Sequence, residues 1–245
     1  MYKRQAANSG SVLTANTSFP LSGTGRLTLN ANIANLDTSY LFYNGGTEII
    51  SQDASHTIDG AGRIYISVDN SGTINANVTG RTLELFSIDK TNRNLFTATN
   101  GGILSINSIT LNQTGANPRI VADASSVNIS VSTINGGLLR GINSGAVNVL
   151  GSTTFNSTTT EGTINIPGGN ILRIGNALTN TGTVTINPSA ANASTQFIVN
   201  NSLTVNGTGQ IVLNAIASNL DTSFILFNGG TEVLTHDTNH TIRGT

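Results

Sequence analysis

The chain has 245 residues, a hydrophobic content of 37% and a formal net charge of −1. Charged residues make up only 9%, against about 25% in an ordinary soluble domain, and the 11 Lys and Arg are scattered singly, which excludes a nucleic-acid patch. No apolar run reaches the roughly 18 residues a membrane helix needs, and with no Cys there is no disulfide scaffold.

Met1-Tyr2-Lys3-Arg4-Gln5 resembles read-through of a sequencing adapter, so residues 1–5 are set aside and residues 6–245 are taken as one fold. The 33 Asn and 35 Thr outnumber all 23 charged residues. That surface is polar, weakly charged and rich in side chains that bond to backbone, as suits an exported protein.

Residues 23–61 begin GTGRLTLNANIANLDTSYLFYNGGTE, and residues 207–245 repeat them at an offset of 184 without a gap, with 21 of 39 positions identical. Leu27 pairs with Ile211, Tyr40 with Phe224, Tyr43 with Phe227 and Ile49 with Val233. A near-copy of this length marks a repeat architecture, in which each unit buries its apolar face against the next. An active site has no need to recur in this way.

Along the first copy, Arg26-Leu27-Thr28-Leu29-Asn30 alternates as a half-buried strand does. Leu36-Asp37-Thr38-Ser39 predicts a corner leading into a strand at Tyr40–Phe42, and Asn44-Gly45-Gly46 a turn. Alternation resumes at Arg63–Val68, Thr73–Val78, Val127–Val131 and Thr183–Ile186, with turn formers at Asn100-Gly101-Gly102, Asn135-Gly136-Gly137 and Pro167-Gly168-Gly169. Leu27, Leu29, Ile64, Ile66, Ile74, Val184, Ile186, Ile211 and Leu213 are the expected core.

Gly followed by a branched apolar strand recurs at Gly72, Gly102, Gly137, Gly162 and Gly182, at spacings of 30, 35, 25 and 20 residues. These suit solenoid coils of roughly 20–30 residues, with the variation assigned to loops of different length. Ten such coils at about 4.8 Å make a rod about 50 Å long. A sandwich fits less well, because aromatics are few and the offset exceeds an immunoglobulin-like unit of about 100 residues. The expected fold is therefore all-β, a parallel β-helix (β-solenoid).

His56–Ile64, Asn70–Asn77 and Arg81–Leu85 carry a pattern of TI-G-G-I, N-GTI-A and TL-L. This resembles the repeats of large bacterial surface β-helix proteins, the autotransporter passengers and filamentous-haemagglutinin-like adhesins. The resemblance covers residues 23–85 and 207–245. It implies a right-handed β-helix on the bacterial cell surface or outside it, acting as a non-catalytic stalk or adhesive segment. Expected partners are cell-surface or matrix glycans or proteins, with no nucleic acid and no membrane span.

The alternative is the β-helix scaffold of a carbohydrate-active enzyme, a polysaccharide lyase or glycosidase. Cleavage by such enzymes commonly needs two carboxylates about 5–10 Å apart. Seven of the twelve acids lie in the duplicated segments. Asp37 and Asp221 share an Asn-Leu-Asp-Thr-Ser corner, where they are expected to cap backbone N–H groups. Glu48 and Glu232 are expected to be solvated charges at strand edges. His236 and His240 lie four residues apart, but Gln52 replaces His236 in the first copy, which argues against a metal site. No catalytic, cofactor-binding or metal-ligating residue is assigned, and no cofactor is expected. A regular Thr-x-Thr column for ice binding is missing. Stacked Asn at corners explains the Asn count better.

The second copy stops inside its motif, at Gly244-Thr245. The expectation is an internal fragment of a longer rod that continues with Gly and a branched apolar residue, and that self-associates through uncapped ends.

Overall fold

The structure, a computed structural model, describes residues 10–244; the adapter-like residues 1–5 and Thr245 lie outside them. Every pairing between strands is parallel, and successive strands visit three faces in a fixed order. The first face holds Ser11–Ala15, Ser39–Tyr43, Thr82–Phe86, Ile103–Asn107, Ser126–Ser130, Ala146–Leu150, Thr183–Ile186, Gln210–Leu213 and Thr241–Gly244. The second is a 10-stranded sheet from Phe19–Leu21 to Ser223–Phe227. The third begins at Arg26–Asn30 and ends at Leu234–His236. Thr57–Ile64 and Thr158–Ile166 each run unbroken from the third face to the first, joining these two into one 19-stranded sheet. The described residues form a three-sided parallel β-helix of ten turns.

The alternation explains the interior. Odd and even residues of a strand point to opposite faces, so each strand sends one or two side chains inward, and stacking places like on like. Leu83, Leu104, Val127, Val147, Ile164, Val184, Ile211 and Ile242 form one continuous stack on the first face. All nine residues expected inside are buried or packed on the core, Leu27 and Leu213 at its margin. Burying each such side chain is worth roughly 1.5–3 kcal/mol, and ordering a coil costs a comparable amount, so coils are stable only as a stack.

The Gly-led motifs are spaced irregularly for a second reason besides loop length. Gly72 and Gly137 open third-face strands, whereas Gly102, Gly162 and Gly182 open first-face strands. The motif marks the start of a side, on either of two faces, and not one turn. Coil-to-coil separations run from 16 residues (Thr57 to Thr73) to 31 (Arg26 to Thr57).

The two copies share local structure. Ser39–Tyr43 coincides with Ser223–Phe227 under the offset, and Thr57 and Thr241 both begin strands. The isolated bridges Asn32–Asn35 and Ile216–Asn219 coincide as well. The structural repeat also starts earlier than the sequence match. Ser11–Ala15 and Phe19–Leu21 correspond to Thr195–Val199 and Leu203–Asn206, and the Ser18 and Ser202 hydroxyls accept from Ile49 N and Val233 N, both at 2.9 Å.

The copies do not occupy the same faces. Ser39–Tyr43 lies on the first face and Ser223–Phe227 on the second. Eight further strands join the first face, the last being Gln210–Leu213, before the chain turns one more side to Ser223. The offset is therefore eight turns and one third.

Candidate binding face

Outward side chains of the first face form a register column of Tyr40, Arg63, Glu84, Ser105, Asn128, Asn148, Asn165 and Thr185. At its start lies an aromatic and ionic cluster. The Tyr65 ring meets Tyr40, Phe42 and Phe86 edge to face, at centroid distances of 5.8, 5.6 and 5.6 Å. The Arg63 guanidinium carbon stands 5.6 Å from the Tyr65 centroid and 5.3 Å from that of Phe86.

Arg63 gathers the charges. Its Nε donates to Glu84 Oε2 at 2.5 Å, and its Nη1 donates to Asp37 Oδ1 at 2.6 Å and to Tyr65 Oη at 2.9 Å. Asn107 Nδ2 donates to the other Glu84 oxygen at 2.9 Å. Burial works against the Arg63 cation, but Tyr65 and Glu84 outweigh it, so its pKa rises. Burial raises the Tyr65 phenol above its usual value. Further along, Asn148 donates to Asn128 at 3.0 Å and Asn165 to Asn148 at 3.3 Å. Stacking amides of adjacent coils lets each Nδ2 meet the next Oδ1.

An open recess of about 580 Å3 follows where the third face turns into the first, lined by Glu161, Thr163, Thr181, Thr183, Gln210 and Thr241. Its floor is a glycine column. A Cβ on Gly162 would lie 1.8 Å from the Gly141 carbonyl oxygen, one on Gly182 2.3 Å from that of Gly162, and one on Gly209 2.4 Å from that of Gly182. Glu161 pairs with Arg140 at 3.1 Å. Within the third face the apolar stack Ile58–Ile74–Phe96–Ile120–Leu139 gives way to Thr160 and Asn180. Thr160 Oγ1 donates to Asn180 Oδ1 at 3.0 Å, and Asn180 Nδ2 lies 3.0 Å from His240 Nε2.

Several expectations change at the duplicated corners. Asn35 and Asn219, rather than Asp37 and Asp221, supply the cap: their Oδ1 atoms accept from Asp37 N at 2.9 Å and Asp221 N at 3.0 Å. An Asn at this position reaches the N–H two residues on, and Asp37 is left to bind Arg63. Glu48 and Glu232 close their glycine loops instead of standing free. Glu48 Oε1 accepts from Gly45 N at 2.8 Å and Glu232 Oε1 from Gly229 N at 2.7 Å. Backbone N–H donors hold both carboxyls below their usual pKa.

His56 and His240 are buried at equivalent corners. His236 stays exposed, its ring 5.9 Å from that of His240. Among the described residues no group of three or more His, Asp or Glu gathers as a metal site would.

Stacked Asn occur as expected, but on an outward face as well as at a corner. The corner ladder is internal: Asn70 Nδ2 donates to Asn92 Oδ1 at 2.9 Å, and Asn92 Nδ2 to Gln113 Oε1 at 3.3 Å. Sequence reasoning missed the aromatic cluster, although three of the four Tyr fall between residues 40 and 65. It also missed Lys90, which is 1% exposed and occupies an inward position beside Leu111. No helix among the described residues is long and apolar enough to cross a membrane. Comparison with protein-family models, with curated proteins and with solved structures finds no match.

Proposed function

We propose that the chain is a stalk and adhesive segment of an exported bacterial surface protein, non-catalytic, meeting cell-surface or matrix glycans or proteins along its first face. The supporting observation is the continuity of that face. Aromatic edges, one buried-edge cation and a row of amides run in one column, next to a hydroxyl-lined recess, with no charge left unpaired in the Arg63 cluster. Aromatic rings combined with amide and hydroxyl groups suit uncharged polar ligands such as glycans. A rod whose coils are joined by parallel ladders and stacked side chains suits a load-bearing spacer.

The test is retention of the full chain on immobilised neutral glycans and on host-cell surfaces. Phe42→Ala with Tyr65→Ala should cut retention several-fold while the β-type circular dichroism spectrum is kept. Retention equal to that of the unmodified chain would overturn the adhesive role of this face. A carbohydrate-active enzyme is the second reading, favoured by the meeting of Asp37 and Glu84 on one guanidinium. Release of new reducing ends from polysaccharide, lost in Glu84→Gln, would establish it.

A further inference from the structure

The sequence holds five Asn-Gly pairs, at Asn44, Asn100, Asn135, Asn206 and Asn228. Asn-Gly is the dipeptide most open to cyclisation, because glycine leaves its nitrogen unshielded. That nitrogen attacks the Asn side-chain carbonyl, so its N–H must be free to give up its proton and turn.

Four of the five glycines have that N–H occupied. Gly45 donates to Glu48 Oε1 at 2.8 Å and Gly229 to Glu232 Oε1 at 2.7 Å. Gly101 donates to Ser125 Oγ at 2.9 Å and Gly136 to the Asn156 carbonyl at 2.8 Å. At Asn44 and Asn228 the acceptor is a carboxylate, whose negative charge also opposes removal of the amide proton. Asn135 is held further by its side chain, which donates to Asn112 at 2.8 Å and accepts from Asn156 at 2.9 Å.

Gly207 differs. Among the described residues its N–H meets no acceptor, and the Asn206 side chain is exposed at the end of Leu203–Asn206. Position 207 has to be glycine, with φ at +103° and a Cβ that would lie 2.3 Å from the Asn180 carbonyl oxygen. Packing therefore fixes a labile dipeptide at this corner and gives it no guard.

We propose that Asn206 is a self-modification site of the folded protein and that hydrogen bonds on the glycine N–H protect the other four pairs. The Gly207 nitrogen bonds to the Asn206 side-chain carbonyl carbon, and the C–N bond to the side-chain nitrogen breaks. The proton from Gly207 leaves with that nitrogen as ammonia, giving a succinimide. Water then opens the ring at either carbonyl to aspartate or isoaspartate. A carboxylate replaces an amide, and the isoaspartate form lengthens the backbone at the corner.

The test is incubation of the full chain, folded, in mild alkali with time-resolved peptide mapping, and in parallel unfolded in urea. Asn206 should convert at least about tenfold faster than the other four in the folded protein, the size expected from one hydrogen bond to a charged or polar group. All five should converge in urea. Glu232→Ala, an outward side chain, should raise conversion at Asn228 toward that of Asn206. Conversion of Asn44 or Asn228 as fast as Asn206 in the unmodified chain, an inert Asn206, or no response to Glu232→Ala would each overturn the proposal.

Discussion

Lys90 is the residue that most departs from the pattern around it. It stands in the second-face stack below Leu111, Ile134, Phe155 and Ile174, where every neighbour is apolar. Its Nζ reaches the corner carbonyls of Ile88 at 2.5 Å and Phe86 at 3.3 Å. Burial pulls its pKa down from 10.5 to about 7, with Asp89 opposing only weakly. The unfolded chain therefore binds more protons than the folded one between about 7 and 10.5. Stability should climb as pH rises through that window and be lowest below it. Lys90→Leu completes the stack and removes the buried charge. It should raise stability at pH 7 by about 1–3 kcal/mol and flatten the pH dependence of the urea midpoint between pH 7 and 9.5. An unchanged slope in the variant would assign that dependence to other groups.

His240 carries a second pH dependence with the same sign. Burial, then the neighbouring His236, lowers its pKa below 6.5. A histidine that resists protonation in the fold costs stability as pH falls through its folded pKa, while the neutral form is fully tolerated above 6.5. Acid should loosen the last coil first, seen as faster amide exchange at Gln210–Leu213 and Thr241–Gly244 between pH 7 and 5. His240→Gln should suppress the change. Uniform acid protection across all coils would count against it.

Corners and ladders set the behaviour of the elements. Gly23 and Gly162 both have positive φ, at +84° and +68°, but a Cβ on Gly23 meets nothing, whereas one on Gly162 meets the Gly141 carbonyl at 1.8 Å. Gly23→Ala should cost about 1 kcal/mol, from backbone strain alone. Gly162→Ala should cost several times that, because two coils must part at the bend of Thr158–Ile166. Urea unfolding of the two variants makes the comparison. Arg63→Ala should likewise cost about 3–5 kcal/mol, since Glu84, with a side chain only 9% exposed, would keep a buried charge. Arg63→Met with Glu84→Leu should recover most of the loss.

The legibility of these elements followed their period. Leu27–Leu29, Ile64–Ile66 and Val184–Ile186 showed their strands because inward and outward residues alternate in the chain itself. The Asp37–Arg63–Glu84 cluster did not show. Its members come from three turns, and only the register Tyr40–Arg63–Glu84 brings them together. The cap at Asn35 was hidden for a different reason. Asn and Asp compete for the same local N–H, and the distant Arg63 decides which of them is spare.

At the scale of the molecule, the described residues form a ten-turn stack whose sides are interchangeable. A segment that folds as first, second and third face in one copy folds as second, third and first in the other. The absence of Cys allows labels to be placed at will. Spin labels at Asn44→Cys and Asn228→Cys should report about 40–50 Å, the axial rise of eight turns and a third plus a sideways displacement. A distance below about 30 Å would contradict the stacking.

That extra third of a turn sets the directions in which the rod faces. Had the interval been a whole number of turns, the Asn-Gly-Gly-Thr-Glu loops at Asn44–Glu48 and Asn228–Glu232 would sit one above the other, and a flat surface could meet both at once. Rotated by one side, they point along different headings, like steps of a winding stair. Two bodies approaching from different quarters can each find the same loop, whereas a single flat body reaches only one of them.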